Sequence, residues 1–170
     1  MAKLRKGVSY TNLERPYTRK SKYRAKNFVR AVPHSKLVRY VMGDPKREDW
    51  ESGFQLLSEQ PIQLRHNALE SARMTANRLM ERKLGKGQYF FRIRPYTHHV
   101  LRENRLASGA GADRLSTGMK KSFGNPVGIA AQGKKGQIVM EVKGNNEEII
   151  KRALKRASYK LPGSYRIVEA

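Results

Sequence analysis

The sequence predicts an α+β fold: a mainly antiparallel sheet with two principal helices packed against it, a basic extended N-terminal arm and a long glycine-rich loop. Three observations lead there. Apolar residues recur at helical spacing over 62–84 and again over 149–157. Several short stretches between and after them alternate in polarity or run apolar at strand length. Two further stretches, residues 1–35 and about 102–128, hold neither period. The chain therefore divides into an arm, 1–35, and a single α+β domain, 36–170, with no second core expected.

The arm carries 10 basic residues and 1 acidic residue over positions 1–30, with Tyr10, Tyr17, Tyr23 and Phe28 interleaved. Such a segment cannot bury enough apolar area to offset its own ordering, so it is expected to be extended or disordered until it lies on a partner. Its aromatics could stack on bases. Lys36–Met42 reads as the first strand, ended by Gly43-Asp44-Pro45, and Phe54–Glu59 as the second. From Ile62 to Leu84, Leu64, Ala68, Leu69, Ala72, Ala76, Leu79, Met80 and Leu84 form one stripe, with Gly85 as the stop. Arg65, Arg73, Arg78, Arg82 and Lys83 fall largely off it and face solvent or phosphate.

Gln88–Arg94 alternates, with Phe91 and Ile93 on one side and Arg92 and Arg94 on the other, until Pro95 breaks it. His98–Leu101 resumes extended structure. Val127–Ala131 and Gln137–Val142 flank Gly133-Lys134-Lys135-Gly136, which predicts a hairpin. Asn145 or Asn146 caps a helix whose first turn holds Glu147 and Glu148, the sign that suits a helix N-terminus. Pro162-Gly163 ends it, and Tyr165–Val168 makes a last strand.

Between the strands, residues 102–128 hold Gly109, Gly111, Gly118, Gly124 and Gly128, and glycine weakens a regular element by about 0.5–1 kcal/mol per residue relative to alanine. A connection this long in one domain is usually functional or disordered. Arg102, Arg105, Arg114, Lys120 and Lys121 space cations along a backbone that a phosphate-rich molecule could approach closely. Charge decides the partner class. Lys and Arg number 36 against 14 Asp and Glu, giving +22 and a pI near 10.6, a balance a polyanion would neutralise. Nucleic acid is therefore expected, and the candidate contacts are Arg5, Lys6, Arg15, Tyr17, Arg19, Lys20, Lys22, Arg24, Lys26 and Arg30 in the arm, with Arg65, Arg73, Arg92 and Arg94 in the domain.

No catalytic, cofactor or metal site is expected. Gly128–Lys135 imitates a phosphate loop, but Lys135 stands where Ser or Thr must ligate magnesium and no helix follows. Adjacent residues in a strand point to opposite faces, so His98 and His99 should be one core and one surface rather than joint ligands. Ser108, Ser116 and Ser122 lie in no nucleophile elbow. With no cysteine, no run of about 18 apolar residues and no secretory leader, the protein is expected to be cytoplasmic, off the membrane and monomeric when free. Two other classes fit less well: an RNA-processing or RNA-modifying enzyme using His98 or His99, and a DNA-compacting architectural protein.

The run Pro61–Asn77 and the stretch His98–Gly128 resemble a known family, the large-subunit ribosomal protein called L-ten-e in archaea and eukaryotes, counterpart of bacterial L-sixteen. Arg15-Pro16-Tyr17, Gly109–Leu115, Gly118-Met119, Phe123–Pro126 and Ala157–Pro162 fit as well, and the cysteines and long tail of eukaryotic members are absent, which favours the archaeal type. The resemblance implies large-subunit ribosomal RNA, transfer RNA and neighbouring ribosomal proteins as partners, near the aminoacyl-tRNA corridor. It further implies that the loop reaches toward the peptidyl transferase centre, placing Arg102, Asn104, Arg105, Ser108, Gly109, Gly111, Asp113, Arg114 and Ser116 closest to transfer RNA.

Overall fold

A computed structural model describes residues 5–13, 32–103 and 125–170. The elements run as a 3₁₀ turn (Gly7–Tyr10), β1 (Val41–Gly43), β2 (Ser52–Ser58), β3 (Ile62–Arg65), α1 (His66–Leu84), β4 (Tyr89–Ile93), β5 (His99–Glu103), β6 (Asn125–Gly133), β7 (Ile138–Gly144), α2 (Glu147–Ser158) and β8 (Tyr165–Glu169). The fold is α+β with wholly antiparallel pairing, but the strands form two sheets rather than one: β1-β4-β7-β2-β8 and β3-β6-β5.

The five-stranded sheet takes its inward face from strand alternation. Met42 lies opposite Phe91, Phe91 opposite Val142 and Val142 opposite Phe54, one apolar row across four strands. Both helices cover that face. α1 contributes Leu69, Ala72, Ala76 and Met80, and α2 contributes Ile150, Ala153, Leu154 and Ala157, all fully buried in one core with the sheet. The small alanines let the two helices approach each other and the sheet closely, since interaxial distance follows the side chains at the contact. Ile62 and Leu64 of β3 and Ala131 of β6 enter the same core, which ties the smaller sheet to the larger.

Asn146 caps α2, its Oδ1 accepting from the Ile149 N–H at 3.1 Å. Asn146→Ala is expected to cost about 1 kcal/mol; an unchanged urea midpoint would rule this out. Gly85, at φ 95°, closes α1 in a conformation that side chains resist.

Four expectations change. The stripe from Ile62 starts as a strand, because the N–H and C=O groups of Ile62–Arg65 pair with β6, and the helix begins at His66. Of Lys36–Met42 only the end is strand: the Lys36 and Val38 N–H groups donate to His66 Nδ1 (3.3 Å) and Glu70 Oε2 (3.2 Å), side chains of α1, instead of to a neighbouring strand. The Gly133–Gly136 turn exists, with the Gln137 N–H on the Lys134 carbonyl and Gly136 at φ 77°, yet β6 and β7 do not pair. It passes the chain from one sheet to the other. Finally, a small satellite core of Tyr10, Leu101 and Ala130, with Val127 against it, lies apart from the main one.

Candidate nucleic-acid interface

The smaller sheet is where the two expected nucleic-acid segments meet. β5 and β6 form the stem of the long loop: Glu103 pairs with Asn125, so residues 104–124 leave and return at adjacent points of one ladder. The head of the arm docks on the same sheet. The Gln63 N–H donates to the Thr11 carbonyl at 3.0 Å, and Gln63 Nε2 donates to the Tyr10 carbonyl at 2.9 Å. Tyr10 turns inward into the satellite core, and its hydroxyl donates to the Glu103 carboxylate at the root of the loop. The Arg65 guanidinium sits 4.8 Å from the centre of the Tyr10 ring, and Arg5 Nε approaches Glu103 Oε1 at 3.8 Å. Tyr10 is thus a structural anchor and no base-stacking aromatic, and the beginning of the arm is a docked 3₁₀ turn instead of an extended tail. An aromatic with one polar tip and apolar neighbours two strands away gives sequence reading no local cue.

His66 braces the stem from behind. Its Nδ1 accepts from Lys36, leaving the ring proton on Nε2, which faces Gly128 of β6 closely enough that a Cβ there would lie 3.4 Å away. Burial, then the charges of Lys36 and Arg65, hold its pKa below the usual histidine value, so the ring is neutral at pH 7.

The predicted cations separate into two groups. Arg73 is neutralised inside the fold: its Nη2 lies 2.5 Å from Glu70 Oε1 and its Nε donates to Glu70 Oε2 at 2.9 Å. That guanidinium holds the Glu70 carboxyl below the usual carboxylate range, and the Glu70 carboxylate in return raises the Arg73 pKa. Arg65, half-buried over Tyr10, likewise serves the arm's docking. Arg5, Lys6, Arg92 and Arg94 are exposed. Arg94 shares its charge with Glu141, Nε to Oε2 at 3.6 Å, and Arg102, next to the loop root, is half-buried.

Arg92 and Arg94 belong to a longer outward series that the sequence stopped at Pro95. Exposure alternates without a break through Arg92, Arg94, Tyr96 and His98, while Ile93, Pro95, Thr97 and His99 are buried. The two histidines do fall on opposite sides, His99 1% exposed and His98 open. On the same outward side of the large sheet lie Lys143 of β7 and Arg166 of β8, and the open faces of the helices add Arg78, Arg82, Lys83, Lys151, Arg152, Lys155 and Arg156. Arg15, Tyr17, Arg19, Lys20, Lys22, Arg24, Lys26 and Arg30, and likewise Asn104, Arg105, Ser108, Gly109, Gly111, Asp113, Arg114 and Ser116, lie outside the described residues. Among the described residues no group of three or more His, Asp or Glu side chains is placed to hold a metal ion, and no helix is long and apolar enough to cross a membrane.

Residues 14–168 match the family described as ribosomal protein L16p/L10e. The chain belongs to that family. A protein of Methanococcus maripaludis named large ribosomal subunit protein uL16 is 47% identical over 168 residues, covering 97% of this chain and 93% of the relative. Proteins of the same name from Picrophilus torridus and Staphylothermus marinus are 44% and 43% identical, over 93% and 97% of this chain and 92% of each relative. The relatives are archaeal, and this chain is an archaeal-type L16p/L10e protein. The family match spans the chain from Glu14 through the loop and both sheets, while the docked head of the arm, residues 5–13, lies before its start.

Proposed function

We propose that this protein is a structural constituent of the large ribosomal subunit in the cytoplasm, that it binds ribosomal RNA through its arm and outward basic faces, and that its loop reaches from the β5–β6 stem toward the peptidyl transferase centre and transfer RNA. The observation that carries the reading is the junction at Glu103, where the docked head of the arm meets the root of the loop. Two cationic segments that would each be costly to order alone start from one rigid place, so ordering one positions the other. The +22 charge supplies affinity, because each phosphate neutralised releases counterions. On this reading the protein performs no chemistry itself; transfer RNA would be positioned beside a catalytic centre made of RNA. Of the two histidines the enzyme reading could use, His99 is 1% exposed and cannot reach a substrate in this fold, which leaves it only the exposed His98. Arg102, Asn104, Arg105, Ser108, Gly109, Gly111, Asp113, Arg114 and Ser116 are the proposed transfer-RNA-proximal residues, and neighbouring ribosomal proteins are further proposed partners, with the chain monomeric before assembly.

The test is sedimentation of a lysate at about 0.5 M salt, where non-specific phosphate binding is stripped. The chain is expected to remain stoichiometric with the large subunit. Migration to the light fractions would overturn the reading and reopen the DNA-compacting alternative.

A further inference from the structure

Resting on that ribosomal reading, we infer that Tyr96 is a stacking platform for an unpaired base of the large-subunit RNA, with Arg92 and Arg94 holding the phosphates beside it. Tyr96 is 70% exposed, far more than a large aromatic needs to be beside two sheets. It is nonetheless held in place. Its ring stacks on Tyr40, centroids 5.8 Å apart and planes at 26°, so the exposed area is the opposite face and the rim. Its backbone sits in an extended link between β4 and β5: Pro95 and Thr97 on either side are buried, the Thr97 hydroxyl is 3.2 Å from the Tyr40 hydroxyl, and His98 Nδ1 is 3.0 Å from the Tyr96 carbonyl oxygen. Tyr40 in turn is fixed to β4, its carbonyl accepting from the Ile93 N–H at 2.8 Å. A ring ordered by its neighbours but left open on one face loses little entropy when a planar ligand covers it.

The ligand class follows from the alternation. Arg92, Arg94 and Tyr96 project to one side at every second residue, about 6.6 Å per step in an extended chain. Cations next to an open ring suit a backbone phosphate followed by a base, the pattern by which single-stranded RNA is held. Arg94 is available for this: its link to Glu141 runs through Nε at 3.6 Å, beyond hydrogen-bond length, and its side chain is 41% exposed. A purely apolar partner would leave these guanidinium groups desolvated and unpaired, which disfavours a protein contact at the same spot.

The experiment uses large subunits from cells whose only copy of this chain is wild type, Tyr96→Ala or Tyr96→Phe. Stoichiometry in the purified subunit is measured first, then 2′-hydroxyl acylation along the ribosomal RNA. All three chains are expected in the subunit. In Tyr96→Ala one or two adjacent unpaired nucleotides should gain about fivefold or more in reactivity, the smallest change that losing a stacked base brings, while Tyr96→Phe matches wild type. An unchanged RNA profile with the alanine chain present overturns the inference and leaves the ribosomal reading standing, as does a phenylalanine chain that behaves like alanine. Absence of the wild-type chain from the subunit overturns both. Should the alanine chain alone fail to enter, short-wavelength ultraviolet crosslinking of wild-type subunits decides: a nucleotide adduct on Tyr96 supports the inference, and adducts elsewhere on the chain but none there overturn it.

Discussion

Replacing Phe91 with alanine is expected to lower global stability by about 3–5 kcal/mol. The residue is fully buried at the middle of β4, the second strand of the larger sheet, and lies opposite both Met42 and Val142. It is among the largest of the side chains sealed from solvent. Truncation removes its transfer free energy and also leaves a cavity between the sheet and the helices, which two alanine-rich helix faces already in close contact cannot collapse to fill. A loss of this size takes away a large share of the roughly 5–15 kcal/mol that a domain possesses. The measurement is the urea midpoint of the free protein, with Phe91→Leu as a partial truncation expected to lose less than Phe91→Ala. A deficit under 1 kcal/mol for the alanine chain would mean that the core is less tightly packed than the buried row across β1, β4, β7 and β2 indicates.

Phe91 was legible in the sequence because alternation of side chains is a local property. Phe91 and Ile93 against Arg92 and Arg94 declare a half-buried strand without knowledge of what pairs with it, and Leu69, Ala72, Ala76 and Met80 declare a helix face in the same way. The cap at Asn146 and the stop at Gly85 are equally local. What failed was pairing. A turn at Gly133–Gly136 is written in its glycines, but whether its flanking strands pair or part depends on β3 and β5 competing for β6, and those lie dozens of residues upstream. Leu64 stands two residues after Ile62, a strand spacing, and four before Ala68, a helical one, and the ladder with β6 decides between them.

The candidate site divides along the same line. Net charge and the aperiodic stretches point to a polyanionic partner and show which segments bear the cations. They could not show which cations remain available. Arg73 looks outward on a helical wheel, yet Glu70 one turn before it accepts from both its Nε and its Nη2, and Arg65 is drawn over Tyr10. Tyr96 has no cue in the sequence because Pro95 reads as the end of a strand, whereas the chain stays extended through Pro95 and keeps its alternation to His98.

Tyr10→Ala is expected to release the head of the arm while leaving the main core folded. The side chain is 7% exposed and is the largest member of the satellite core, so its removal costs about 3–5 kcal/mol of local stability, the range for truncating a buried aromatic. Part of that is the hydroxyl's bond to the Glu103 carboxylate, and hydrogen bonds to charged groups contribute about 1.5–3 kcal/mol each. Tyr10→Phe isolates this part and should fall in that lower range. Because the cluster is separate from the main core, the loss should appear as local opening and not as a shifted global midpoint. Amide exchange reports it directly: the Gln63 N–H, which donates to Thr11, should exchange faster by two orders of magnitude or more, about what 3 kcal/mol implies, while the amides of α1 and β7 keep their protection. Unchanged protection at Gln63 would show that the arm is held by something other than Tyr10. On the ribosomal reading the same variant also unbraces Glu103 at the root of the loop, so Tyr10→Ala should impair subunit function more than Arg5→Ala, although Arg5 carries the charge and Tyr10 does not. Equal defects from the two substitutions would mean that the arm contributes only its charge, and that its docking against the loop stem has no part in positioning the loop.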